Sequence, residues 1–320
     1  MKGFDQKFRD FPDYILTTTR EIWEKRGLMS RMQEYYHPDV TIRTPRGIGF
    51  GVQAVADLGM ETLVAFPDRS MLSEDLVWSG SPQIGLLGSQ RLLSTATHRG
   101  SGSYGPASGG SIRFREIADR YAKANRICDE WRVMDSGAVL AQLGLDPQNW
   151  ARDQLPGLNP DSQPFRPDID EVGPYTGGGN SNQWGEAFAT ILDQIMQGEL
   201  SVIPEQYDEA CQMSYSGGRE VHGWTEADTF WLGLRAAFPS AQFQVHHKIG
   251  MEETLMPPRA AVRWSLTGRH DGWGAFGKPT GAEVHVMGIS HAEFGPWGLR
   301  REWTLIDEAA IWIQIVSKTG

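Results

Sequence analysis

A chain of 320 residues is long enough for about two domains, and with 40% hydrophobic residues and 12 tryptophans each could bury a core of its own. The net charge of −10, with no basic run, excludes a nucleic-acid role, because binding phosphate backbones requires clustered Lys and Arg. No stretch of 18 apolar residues suggests a membrane span, and the polar start Met1–Arg9 has no apolar core of a secretory signal. The expected setting is therefore cytoplasmic, which two cysteines, Cys128 and Cys211, also fit.

In chain order, Tyr14–Arg26 has helical character, broken by Gly27 before a short helix over Leu28–Tyr36. Apolar residues near a 3.6 period (Val52, Val55, Leu58, Leu63, Ala65) predict a third helix over Val52–Ala65, ended by Phe66-Pro67. Extended segments are then expected at about 70–78, 88–99, 111–122 and 125–134, followed by a short helix over Ser136–Leu143. Residues 146–182 hold six prolines and the run Gly177-Gly178-Gly179 without periodic apolar pattern. They read as a connector wrapping a surface. Helices at Ala187–Gln197, Pro204–Ala210 and Trp224–Phe238 follow, then extended segments at 242–250, 259–270, 282–294 and 297–306, and a C-terminal segment from Glu308.

The second series repeats the first at an offset of 172 residues (91 to 263). Arg91/Arg263, Thr95/Thr267, His98/His270, Gly100/Gly272, Gly102/Gly274, Gly105/Gly277, Gly109/Gly281, Glu130/Glu302, Trp131/Trp303 and Asp135/Asp307 all coincide without a gap. A period this long lies outside the solenoid range and implies two like-built domains, 1–147 and 183–320, joined by a Pro/Gly-rich linker at 148–182. Three helices followed by a run of antiparallel strands is an α+β pattern. A curved sheet on helices leaves a cone with an open end, where small ligands usually bind.

Both copies contain G-x-G-x-x-G, but a strand follows it instead of a helix. A loop needing positive φ is expected there, not a dinucleotide site. The aligned ionisable positions are His270, His291 and Asp307 in the second copy and His98, Asp119 and Asp135 in the first. A histidine exchanges protons near neutrality, and an aspartate can join it as acid or base. Plainer roles are open for each: Asp135 and Asp307 stand where an aspartate caps a helix, His98 and His270 adjoin a loop, and His291 could be a satisfied strand histidine. Alternation puts each Trp of the Glu-Trp pairs on the face of the aspartate four residues on. Trp131 and Trp303 are thus packing residues or pocket walls, with Tyr207, Trp224, Trp231 and Tyr35 as further wall residues. His246-His247 would point to opposite strand faces, and no zinc-like spacing occurs, so no metal is expected.

The segment Gly277-Lys278-Pro279-Thr280-Gly281 with Arg301-Glu302-Trp303 and Asp307, and Glu130-Trp131-Arg132-Val133-Met134-Asp135 in the first copy, resembles the SnoaL-like polyketide cyclases of the NTF2-like superfamily. The resemblance implies two cone-shaped α+β barrels in tandem, each of three helices packed on a curved antiparallel sheet, with a cavity for a small carbonyl-containing organic ligand. It implies aldol, isomerase or lyase chemistry by an aspartate acid/base (Asp307, Asp135) with a nearby histidine, and no cofactor. That histidine falls on His291 only, since Asp119 stands there in the first copy, which marks the second copy as the active one. His270 would polarise substrate from the rim. The alternatives are a non-catalytic binding or dimerisation module of the same superfamily, and epoxide hydrolysis through an Asp-Arg-Asp set. The two copies are expected to pair through their sheets as a covalent version of a homodimer, with further self-association open.

Overall fold

The computed structural model describes residues 3–158 and 164–319. In the first copy α1 (Phe11–Thr19) runs on as a π-helical turn, Arg20–Glu24, before α2 (Leu28–Tyr35). Asp10 caps α1 by accepting the Asp13 N–H. A hairpin of β1 (Tyr36–Thr44) and β2 (Gly47–Phe50) leads into α3 (Gly51–Ala65), then β3 (Ser70–Ser81), β4 (Gly85–Thr97), β5 (Ser111–Lys123), β6 (Arg126–Met134) and α4 (Ser136–Gln142). The connector carries α5 (Pro147–Gln154). The second copy repeats the order with α6 (Gln183–Gln197), α7 (Val202–Gln206), β7 (Tyr207–Tyr215), β8 (Arg219–His222), α8 (Trp224–Ala237), β9 (Gln242–Met251), β10 (Arg259–Arg269), β11 (Glu283–Gly295), β12 (Gly298–Ile306) and α9 (Glu308–Thr319).

Each copy forms a six-stranded sheet of identical order, β2-β1-β6-β5-β4-β3 and β8-β7-β12-β11-β10-β9. This is the expected α+β architecture, built twice. The sequence reading missed the β1–β2 and β7–β8 hairpins and extended the helix of α7 to Ala210, although Tyr207 already begins a strand. Pro38 is one reason: it lacks the N–H that a ladder needs, and it falls in the irregular step between the pairs Tyr36–Ile127 and Thr41–Asp129. The sheets are also not wholly antiparallel, since β1 runs parallel to β6 and β7 to β12. In the connector, Asp146 caps α5, and Trp150 and Ala151 join a core with Ala138 of α4 and Ala309 of α9.

The glycine motif closes the loop between β4 and β5, and that between β10 and β11. Gly105 and Gly277 have φ of +87° and +74°. A side chain at Gly100 or Gly272 would collide with the Val64 or Ala236 carbonyl, 1.7 Å and 1.9 Å from an added Cβ. The loops are thus sealed onto the ends of α3 and α8 and offer no phosphate cradle.

The helix-facing side of each sheet packs on its own helices. The outer sides pack on one another: Val77, Leu87, Ile117 and Val133 of the first sheet meet Ile249, Ala261, Met287, Ile289 and Leu305 of the second, with Phe165 and Tyr175 of the connector added. Both faces of the central strands of each sheet are therefore buried.

Candidate functional site

Strand parity decides where each sequence-predicted residue goes. His291 lies on the outer face of β11, in the interface. Its Nε2 is 2.8 Å from Ser89 Oγ and its Nδ1 3.2 Å from Arg91 Nη1, and burial, with Arg91 and Arg259 nearby, holds its pKa well below the ordinary value. Its counterpart Asp119 lies 3.2 Å from Arg263. Arg91 stacks on Trp303 at 3.5 Å and Arg263 on Trp131 at 3.7 Å, reciprocal contacts of the kind an isologous dimer makes. Asp119, His291, Trp131 and Trp303 thus hold the copies together, and none of them lines either cone.

His98 and His270 are buried, not on a rim. Each sits on a phenylalanine, Phe66 or Phe238, with Nδ1 3.1 Å from the loop hydroxyl of Ser108 or Thr280. Tyr207 and Trp231 are core residues, Trp224 packs partly buried against that core, and Tyr35 sends its hydroxyl to Glu21. Asp135 and Asp307 do cap α4 and α9, accepting the Ala138 and Ala310 N–H groups. The His291–Asp307 pair expected in one funnel does not form: His291 bonds to Ser89 and Arg91, and Asp307 accepts from Ser136 and Ala310 and is ion-paired with Arg46.

The C-terminal cone is filled. Trp231, Trp264, Phe230, Tyr215 and Phe276 occupy it, with Tyr215 and Phe230 stacked at 3.8 Å. Trp264 fits because Gly288 faces it across the ladder: a Cβ at Gly288 would lie 2.2 Å from the indole. Trp264→Ala is expected to cost about 3–5 kcal/mol, as large-to-small core changes do, read as a lowered denaturation midpoint of the full chain.

The N-terminal cone differs at the same inward positions. Leu92 replaces Trp264, and Glu116 stands where Gly288 does. Arg120, Gln90, Arg69 and Tyr104 replace Ala292, Val262, Ala241 and Phe276, and Arg46 and Glu61 replace Gly218 and Gly233. The result is a charged ladder. Arg69 and Arg132 lie 3.7 Å and 3.8 Å from Glu116, and Arg132 and Arg120 lie 2.6 Å and 3.4 Å from Glu130. A chamber of about 70 Å³ opens above it, lined by Arg46, Thr62, Tyr104, Glu116, Arg132 and Asp307. Through Thr44, Pro45, Arg46, Leu58 and Glu61 it adjoins a cleft of about 650 Å³, walled also by Asp57, Trp150, Ala310 and Ile313. The site is thus composite: strands and helix of the first copy, a connector helix, and Asp307 with α9 from the second.

The two interdomain turns explain why one aspartate is available and its twin is not. In the second copy the turn Ser216-Gly217-Gly218 donates two N–H groups to Asp135, whose carboxylate also takes the Ala138 N–H. Burial lifts its pKa to about 6 against those bonds. The first copy's turn has Pro45, without an N–H, where Gly217 stands, and Arg46 replaces Gly218. At Asp307 the Oδ1 atom takes the Ser136 hydroxyl and the Ala310 N–H, while Oδ2 has only Arg46 Nε at 3.6 Å. Arg46 lies between Asp307 and Glu61, with Trp150 beneath it, and its buried Nη2 has no acceptor among the described residues. Burial disfavours its charge, but Asp307, Tyr104 and Glu61 outweigh that and raise its pKa. Burial likewise keeps Tyr104 a neutral phenol by raising its pKa. One carboxylate oxygen, one guanidinium group and one phenol thus line the chamber and cleft.

Sequence reasoning missed Arg46, Glu61, Tyr104, Glu116 and Arg132. The signal was present in the gapless alignment of the copies, where inward charges in the first meet glycine, alanine or phenylalanine in the second. No group of three or more His, Cys, Asp or Glu among the described residues could hold a metal, and no helix there is long and apolar enough to cross a membrane.

The profile of the SnoaL-like polyketide cyclases matches residues 8–143, and that of the SnoaL-like domain matches residues 186–302. No curated protein matches the chain. Solved structures similar to it include IdmH of Streptomyces antibioticus, assigned to the polyketide cyclases (21% identity, 42% of this chain and 100% of that one, TM-score 0.37). A polyketide cyclase assignment from Acidithiobacillus ferrooxidans (23%, 41% and 92%, 0.36) and a SnoaL-like polyketide cyclase from Agrobacterium tumefaciens (20%, 43% and 100%, 0.36) are similar to a like extent.

Proposed function

This chain belongs to the SnoaL-like polyketide cyclase family as a tandem pair of its domains, and from that premise we propose that it moves protons on a small carbonyl compound held in the composite cleft. Asp307 Oδ2 would take the proton α to the carbonyl, and the C–H electron pair would become the enolate. Arg46 Nη2 and the Tyr104 phenol would bear the developing oxyanion charge, as preorganised donors do best in a water-poor site. In an aldol closure the enolate carbon bonds to a second carbonyl carbon of the same molecule, and Asp307 returns its proton to the new alkoxide. Aldol, isomerase and lyase outcomes share this first step.

The observation that carries the reading is the half-free carboxylate of Asp307 beside a guanidinium N–H that has no acceptor among the described residues, both on the lining of a cavity. The second copy, with its cone filled, contributes Asp307 and α9 and serves otherwise as scaffold. The test is deuterium wash-in at C2 of 1-tetralone, a bicyclic ketone, in D₂O with the full chain. Exchange above the buffer rate is expected, falling about 10²–10³-fold in Arg46→Met, the range seen on loss of one oxyanion donor. Saturable ketone binding without exchange in the wild type would instead leave a binding module. Epoxide hydrolysis is the second reading, since Arg46 stands 3.6 Å and 4.0 Å from the carboxylates of Asp307 and Glu61. Turnover of styrene oxide without ketone exchange would favour it.

A further inference from the structure

Another cavity, of about 230 Å³, shares no lining residue with the cleft. It lies on the outer face of the second sheet, roofed by the connector at Phe165, Asp170 and Tyr175, and reached by Trp131 of the first copy. Its floor is shaped by a β-bulge. β9 and β10 pair His247 with Arg263 but Val245 with Trp264, leaving His246 as the extra residue. Bulges re-aim side chains and recur beside binding sites. Here the bulge turns both histidines toward the connector, where plain alternation had placed them on opposite faces. His246 lines the cavity, and His247 Nε2 is 2.6 Å from the hydroxyl of Tyr175.

Arg263 has a counter-ion in Asp119 and a stacking partner in Trp131, but no hydrogen-bond acceptor among the described residues. Its side chain is only 7% exposed and its guanidinium makes no hydrogen bond among the described residues. Nε lies 3.2 Å from Asp119 but is not hydrogen-bonded to it. A buried guanidinium left without acceptors carries a desolvation penalty that a ligand acceptor would remove. Around it, His246 and His285 each use one ring nitrogen, 2.7 Å from Ser265 Oγ and 2.7 Å from Thr267 Oγ1, which leaves the other free. Burial lowers both pKa values to about 4, so at neutral pH they offer hydrogen bonds without charge. The charges near the cavity are then Arg263 with Asp119, Asp170 paired to Arg43, and Arg166 and Asp168 of the connector. Phe165, Tyr175 and Trp131 give aromatic walls. A cation with a free planar fork, neutral imidazoles and aromatic sides together match one ligand type: a single ring bearing a carboxylate, the anion that arginine grips with two parallel bonds.

We propose that this cavity is a second ligand site, which takes a small aromatic carboxylate with its anion on Arg263 and its ring against the aromatic walls. The probe is benzoate, titrated calorimetrically into the full chain near neutral pH. Saturable binding of one benzoate per chain is expected, weakened roughly 10- to 100-fold in Arg263→Lys, the range for lost hydrogen bonds to a charged group. Ser265→Met keeps the Arg263–Asp119 and Arg263–Trp131 contacts but fills the space, and is expected to abolish binding even if Arg263→Lys loosens the interface. Arg46→Met, in the cleft, is expected to leave benzoate affinity within about twofold, a change under 0.5 kcal/mol on the tenfold-per-1.4 kcal/mol scale. No saturable binding to the wild type overturns the proposal. So does binding that survives Ser265→Met, or that Arg46→Met removes.

Discussion

Asp307→Asn is expected to slow α-proton exchange by about 10²–10⁴-fold, the contribution of a positioned acid–base group, with the fold intact. Asparagine is as good a helix cap as aspartate. Its amide oxygen can keep the Ser136 hydroxyl and the Ala310 N–H that Oδ1 now accepts. What it loses is the basic oxygen facing Arg46. The chain supplies its own control: Asp135 stands at the equivalent place, but Gly217, Gly218 and Ala138 N–H groups occupy its oxygens. Asp135→Asn is expected to leave the exchange rate within about twofold, since surface-independent caps contribute to stability and not to chemistry. Equal losses from both substitutions would mean that position 307 acts through the interface, and an Asp307→Asn rate near wild type would remove it from the mechanism.

The division into two domains was legible because a gapless offset preserves every loop length, and the order of helices and later strands followed from it. The site was not, for a physical reason that Trp131 and His291 illustrate. Alternation separates the two faces of a strand but does not say which one meets the helices. In an isolated domain the solvent face is polar and the ambiguity resolves itself. Here the outer faces are buried against each other, so Ile117, Val133, Ile289 and Leu305 read as core as well as any inward residue. Asp119 and His291 then look like pocket residues when they are interface partners of Arg263 and Arg91. Arg46 was hidden differently: it lies in a turn, and its value comes from Asp307, which the fold brings from the other copy. His246 needed a bulge, which shifts parity by one residue and leaves no mark in composition.

Glu130 and Glu302 occupy equivalent positions, and replacing each by glutamine is expected to give opposite pH responses. Glu130 accepts from Arg132 at 2.6 Å and Tyr36 at 2.7 Å, with Arg120 at 3.4 Å. Burial alone would raise its pKa, but Arg132 and Arg120 overrule it and hold the carboxyl at about 2. In the second copy those arginines are Thr304 and Ala292, and Glu302 has only hydroxyl donors from Thr304, Tyr207 and Tyr215. Burial therefore wins there, and its pKa is raised. Glu130→Gln takes the nearest counter-charge from two buried guanidinium groups and leaves them only the more distant Glu116, a loss of about 3–5 kcal/mol at neutral pH. A depressed carboxyl gives stability that is fully present above its unfolded value, 4.5, and is lost as pH falls toward about 2. The gap between Glu130→Gln and wild type should therefore be full above pH 4.5 and close below it. A raised carboxyl works the other way: the stability it gives is fully present below its unfolded value, 4.5, and is lost as pH rises through the folded one. Glu302→Gln should then gain on wild type as pH rises above 4.5. Chemical denaturation of the full chain at stepped pH reads both slopes. Parallel curves for the two variants, or a Glu130→Gln cost below about 1 kcal/mol at neutral pH, the worth of an exposed ion pair, would show that the arginine ladder is not what holds the N-terminal cone open and charged.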